Sequence, residues 1–121
     1  MYHKDLEVYK KSVELVKEIY NITQIFPKEE LFGLTSQLKR AVISIPSNIA
    51  EGSARYSDKD TSRFIDIAIG SLAEVDTQIF LSKELNFISQ KQYEKIEEII
   101  DILQALLIGF KKYLKNKMNK S

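Results

Sequence analysis

Cysteine is absent from the 121 residues, which excludes disulfides, thiolate nucleophiles and cysteine-based zinc sites together. Histidine occurs once, as His3 near the start, so neither a histidine-dependent triad nor a two-histidine metal site can be built. Glycine and proline number four and two, about half of the usual share of roughly 12% for the pair. Turns are therefore few. Few turns in a chain of this length mean long elements, and long elements in soluble domains are helices. Long hydrophobic runs are missing as well. The most apolar stretch, Ile102 to Phe110, has nine residues, less than half of the roughly 20 that a membrane-spanning helix requires. Met1 to Glu7 is polar and lacks the apolar segment of a signal peptide. The expectation is a soluble cytoplasmic protein with no membrane contact. An excess of one charge is also lacking: 18 basic against 17 acidic side chains leave +1, too balanced to advertise nucleic-acid binding through bulk electrostatics.

What is present is a core's worth of apolar residues, 44% of the chain, and 29% charged residues to keep the outside wet. The length fits one domain over residues 1–121. Leu6, Tyr9, Val13, Val16, Tyr20 and Thr23 recur at helical spacing, broadened by Leu15, Ile19, Ile22 and Phe26, and predict a helix over about 5–25. Phe26-Pro27 closes it, since the residue before proline avoids the helical region. Leu31, Leu34, Leu38, Val42, Ile45 and Ile49 mark a second helix over about 30–51, kinked at Pro46 because proline deletes one backbone hydrogen bond. Gly52 is expected to supply the left-handed residue at its end. A third helix, about 58–85, opens at Ser57 or Asp58 with Asp58 and Asp60 at the positive end of its dipole. It carries Phe64, Ala68, Leu72, Val75, Ile79 and Leu85. Ser89 and Gln92 form a capping box for a fourth helix, about 89–115, through Ile96, Ile99, Ile100, Leu103, Leu106, Leu107, Phe110 and Leu114. Short links make sequential helices neighbours, so the predicted fold is an all-α, antiparallel up-down four-helix bundle.

Three features go beyond the fold. First, Ile99 to Phe110 reads IIDILQALLIGF, apolar nearly all round, and in a lone bundle it would strand Ile102, Leu106 or Ile108 in water. Such a patch marks an interface, and self-association is expected. Second, the second helix carries the stripe Gln37, Arg40, Ser44, Asn48, Glu51 and Arg55, and the third carries Arg63, Asp66, Gly70, Glu74 and Thr77. Facing positions in an antiparallel hairpin have a constant sum. A sum of 114 puts Arg40 opposite Glu74, Ser44 opposite Gly70, Asn48 opposite Asp66 and Glu51 opposite Arg63. Either these are two solvated faces, worth about 0–1 kcal/mol per pair, or they form a partly buried network that fixes register. Third, Lys111, Lys112, Lys115, Lys117 and Lys120 close the chain without an acid among them. They read as a helix end followed by a disordered basic tail over 116–121, or as an arm that contacts phosphates.

No residues for catalysis stand out. Carboxylates at Glu94, Glu97 and Glu98 are interleaved with Lys95 and read as a solvated face; Walker and G-x-G-x-x-G loops are absent. No enzyme, metal or cofactor is expected.

The segments LTSQLKRAVISIPSNIAEGSAR, residues 34–55, and RFIDIAIGSLAEVDTQIFLSKEL, residues 63–85, resemble the 23S rRNA-intervening-sequence protein family, as does the opening DLEVYKKSVELVKEIY. The most specific parts are Arg40 to Gly52 with Arg55 following, and Gly70 to Leu72 with Glu74. The resemblance implies an up-down four-helix bundle assembled as a ring-shaped homopentamer, encoded in intervening sequences of bacterial 23S ribosomal RNA genes among other contexts. A related branch resembles the accessory variability determinant of diversity-generating retroelements, a basic pentamer that binds nucleic acid and a reverse transcriptase. Carried over, the motif points to Arg40, Ser44, Asn48, Glu51, Gly52, Arg55, Gly70 and Glu74, a shared structural network rather than a catalytic one. Two functions follow as expectations. One is a non-enzymatic oligomeric accessory protein that contacts RNA or DNA through Arg55 and the terminal lysines. The other is a ring-shaped protein-binding scaffold without nucleic-acid affinity.

Overall fold

A computed structural model describes residues 2–120. Four helices account for most of them: α1 Glu7–Thr23, α2 Leu34–Ser53, α3 Asp58–Glu84 and α4 Gln90–Lys120. No strand occurs among the described residues. Each helix packs on two neighbours, α1 on α2 and α4, and α3 on α2 and α4. The diagonals do not meet, which is the section of an antiparallel four-helix bundle.

Local chemistry sets the helix boundaries. The Ser57 hydroxyl accepts the Asp60 N–H at 3.1 Å and caps α3. Ser89 and Gln92 form the expected reciprocal box: the Gln92 N–H donates to Ser89 Oγ at 3.1 Å and the Ser89 N–H to Gln92 Oε1 at 2.8 Å. Between these two helices Asn86 takes the left-handed conformation, φ 62°. The Phe87 N–H then reaches back to the Ser82 carbonyl at 2.9 Å, satisfying a carbonyl that the helix end would orphan.

Four sequence expectations are corrected. Helix α2 begins at Leu34 rather than near residue 30, because Lys28–Glu30 forms a short 3-10 turn and Glu30 Oε1 accepts the Leu34 N–H at 3.2 Å. Leu31 is therefore exposed instead of lying in the seam. The core stripe of α1 is Val8, Ser12, Leu15, Ile19, Ile22 and Thr23, rotated from the one through Leu6, Tyr9 and Tyr20. Gly52 lies inside α2, and no glycine has positive φ. Lys117 and Lys120 belong to α4, which is helical over residues 116–120 of the segment expected to be a tail; residue 121 lies outside the described residues.

The bundle interior is aliphatic. Leu15, Ile19, Leu38, Val42, Ile45, Ile49, Ile65, Ile79, Ile96, Leu103, Leu107 and Leu114 are all essentially inaccessible, each contributing about 1.5–3 kcal/mol by leaving water. Pro46 sits between two of them, Ile45 and Ile49, with α2 continuous around it. That burial offsets a proline's cost of roughly 3 kcal/mol.

Candidate interaction surfaces

The α2–α3 hairpin is joined by small, uncharged groups. Ser44 and Ser71 share a hydrogen bond of 2.9 Å. Asn48 Nδ2 donates to the Ser44 carbonyl at 2.8 Å and to Ser44 Oγ at 3.0 Å. Lower down, Thr61 Oγ1 donates to the Gly52 carbonyl at 2.8 Å. Higher up, Gln78 Nε2 donates to Gln37 Oε1 at 3.4 Å. Gly52 supplies the closest approach: a Cβ there would sit 2.9 Å from Phe64 Cβ and 3.3 Å from the Thr61 carbonyl. Its role is to let α3 press onto α2, not to turn the chain.

The register is within a residue or so of the one expected from the sequence, but the partners differ. Ser44 meets Ser71, and Gly70 is exposed with open space beside it. Arg40 and Glu74 flank one shallow cleft with Phe32, Ser36 and Gln37, and no ion pair joins them. Glu51 pairs with Arg55 of its own helix end at 2.8 Å rather than with Arg63. Asp66 turns from Asn48 to Lys111 of α4. Arg63 is exposed, with its guanidinium carbon 5.8 Å from the Phe64 ring centre. The stripe thus divides into a half-buried neutral part, Ser44 and Asn48, and charged residues that stay at the surface.

The terminal lysines divide in the same way. Lys111 pairs with Asp66, and Lys117 with Asp58 at 3.3 Å. Lys112, Lys115 and Lys120 are exposed and form no ion pair among the described residues. Arg55 is paired with Glu51 and lies over the Phe64 ring at 4.6 Å. Antiparallel packing brings the end of α4, the start of α1 and the α2–α3 turn to one end of the bundle. The half made by residues 2–15, 43–71 and 105–120 carries eleven basic and seven acidic side chains. The half made by residues 16–42 and 72–104 carries seven and ten. A nearly neutral chain is therefore polarised end to end.

Apolar side chains also remain outside. Ile102 and Ile108 of α4 are 42% and 40% exposed, and Leu106 is half-buried. Ile67, Phe80 and Leu81 of α3 are similarly open, and Phe32 is 93% exposed.

One cluster was hidden from sequence reasoning. Glu97, read there as part of a solvated face, has its Oε2 buried without a hydrogen-bond partner. Its other oxygen accepts from the Tyr93 hydroxyl at 2.8 Å. Burial and the neighbouring Asp76 push the Glu97 carboxyl up to about 7, and donation to Glu97 holds the Tyr93 hydroxyl at about 12. The available signal was the Tyr93–Glu97 spacing of one helical turn. Among the described residues, no group of three or more acidic or histidine side chains could hold a metal ion, and no helix is long and apolar enough to cross a membrane.

Residues 4–109 match the family model described as 23S rRNA-intervening sequence protein. Among solved structures, the chain is similar to a protein with unknown function from the S23 ribosomal protein family of Bacteroides thetaiotaomicron. The two superpose with a TM-score of 0.81 at 27% identity, over 87% of this chain and 98% of that one. No curated protein matches the chain.

Proposed function

Because the chain belongs to the 23S rRNA-intervening sequence protein family, we propose that it is a non-enzymatic accessory protein of the cytoplasm that assembles as a homopentamer and binds RNA or DNA. The observation that carries this reading is the end-to-end charge polarity. In a closed cyclic ring whose bundles stand along the ring axis, the basic ends gather on one rim and the acidic ends on the other. A single subunit has an excess of four basic side chains in its basic half; a ring multiplies that excess on one face. The open apolar residues Ile67, Ile102 and Ile108 support assembly, because covering them removes exposed apolar surface from water.

Lys112, Lys115 and Lys120 are the phosphate-contacting residues in this reading, since no acid pairs with them among the described residues. Retention of RNA or DNA is expected to fall steeply with salt as counterions are released, and to fall further in a Lys112→Gln, Lys115→Gln, Lys120→Gln variant. Retention indifferent to both changes would contradict it. A second reading is favoured by Phe32, 93% exposed beside the cleft between Arg40 and Glu74: a scaffold for a partner protein such as a reverse transcriptase. That reading predicts salt-tolerant protein capture, lost on Phe32→Ser and unaffected by the lysine changes.

A further inference from the structure

Helices α3 and α4 meet along a seam where acidic groups outnumber cations at mid-height. Asp76 comes from α3, and Glu97 and Asp101 from α4. The rings of Phe80 and Tyr93, 6.3 Å apart, fix the register just above. Position sums place Asp76 opposite Glu97 in the same register as Phe80 opposite Tyr93. No lysine answers this pair. Lys83 of α3 lies 5.1 Å from the Tyr93 ring centre, and its Nζ is 3.6 Å from Glu84. On the α1 side, Glu18 is held by Lys95 at 3.4 Å.

Two carboxylates cannot hydrogen-bond each other, because both only accept. With both ionised, Glu97 Oε2 is a buried acceptor without a donor, a costly arrangement. One proton on Glu97 resolves it: the carboxyl then donates to Asp76, while the other oxygen keeps the Tyr93 hydroxyl at 2.8 Å. Asp76 borders an open cleft of about 200 Å³ with Ile69, Ala73, Thr77 and Gln104, whereas Glu97 Oε2 is cut off from water. The proton therefore belongs on Glu97. We infer that Glu97, holding a proton that it donates to Asp76, forms a proton-operated clasp between α3 and α4, closed when the proton is bound and sprung by its loss. Desolvation is the largest cause of the rise to about 7, followed by the hydrogen bond to Asp76, with Tyr93 acting in the opposite direction. The clasp thus operates near neutral pH.

A carboxyl whose folded affinity for protons exceeds its unfolded one stabilises the fold when protonated, and that contribution fades as pH rises toward and through the folded value. The test is a carbon-detected NMR titration of the Glu97 side chain in the full chain, in wild type, Asp76→Asn and Tyr93→Phe. The expected wild-type midpoint is about 7. Asp76→Asn removes the like charge and offers an amide donor to the carboxylate, so the proton binds about tenfold or more weakly. Tyr93→Phe removes a donor to the carboxylate, so the proton binds more tightly. A wild-type midpoint in the ordinary carboxylate range, or one that Asp76→Asn leaves in place, would overturn the clasp. All three proteins keep the aliphatic core, and the wild-type titration alone decides if a variant fails to fold.

Discussion

Helix α3 is held differently on its two sides. Towards α2 the contacts are neutral and short-armed: Ser44 to Ser71, Thr61 to the Gly52 carbonyl, and Phe64 against a position where only glycine fits. Towards α4 they are charged: Asp58 to Lys117, Asp66 to Lys111, and Asp76 facing Glu97 around Tyr93. Short neutral groups fix distance and register and are indifferent to salt and pH. Charged groups near the surface fix little, and they respond to both. One face of α3 is therefore a fixed hinge-plate and the other an adjustable seam.

The largest effect that would break this contrast is steric. Gly52→Val places methyl groups where Phe64 and the Thr61 carbonyl already stand. It is expected to lower stability by about 1–3 kcal/mol, read from the denaturant midpoint, by overpacking. Thr61→Val removes the buried hydroxyl that donates to the Gly52 carbonyl. A loss of about 1 kcal/mol is expected, unchanged by salt. A loss that salt abolished would show the α2 side to be electrostatic after all.

Next comes the adjustable side. Wild-type stability is expected to decline between about pH 5 and pH 8 as Glu97 loses its proton, since its folded value of about 7 lies well above the ordinary carboxyl range. Glu97→Gln, whose amide donates to Asp76 without titrating, should remove that slope and exceed wild type at pH 8 by about 1 kcal/mol or less once solvent screening is counted. Parallel pH profiles for the two proteins would make the α4 side as insensitive as the α2 side. The smallest effect is that of Lys111→Met, which breaks an exposed pair with Asp66. It should cost about 0–1 kcal/mol at low salt and nothing measurable at high salt.

The sequence was most legible where structure is local. The capping box at Ser89 and Gln92 and the cap at Ser57 involve residues three apart, so the chain itself brings them together. The helix order followed from short connections, and the α2–α3 register, good to about one residue, from a constant position sum whose suggested charge pairs do not form. Partners were less legible because long side chains choose among several neighbours: Glu51 takes Arg55 just past the end of its own helix, and Asp66 takes a lysine from a different helix. The α1 core stripe was obscured by Ser12, which is polar yet buried like Thr23. Both bury their hydroxyls by donating to their own helix, at 2.7 Å to the Tyr9 carbonyl and 2.8 Å to the Ile19 carbonyl. Gly52 looked like a helix end because its reason, the Cβ of Phe64 and the Thr61 carbonyl, comes from another helix. Glu97 looked solvated for the same reason: the acid that perturbs it is on α3.

The apolar residues left open on α4, Ile102 and Ile108, are the surface that the proposed assembly would cover. Light scattering on the nuclease-treated protein measures whether they are covered by further copies. The proposed ring predicts a mass near five times the 14.0 kDa of one chain, held as the protein is diluted into the micromolar range. A folded species at 14.0 kDa that stays soluble at high concentration would contradict it.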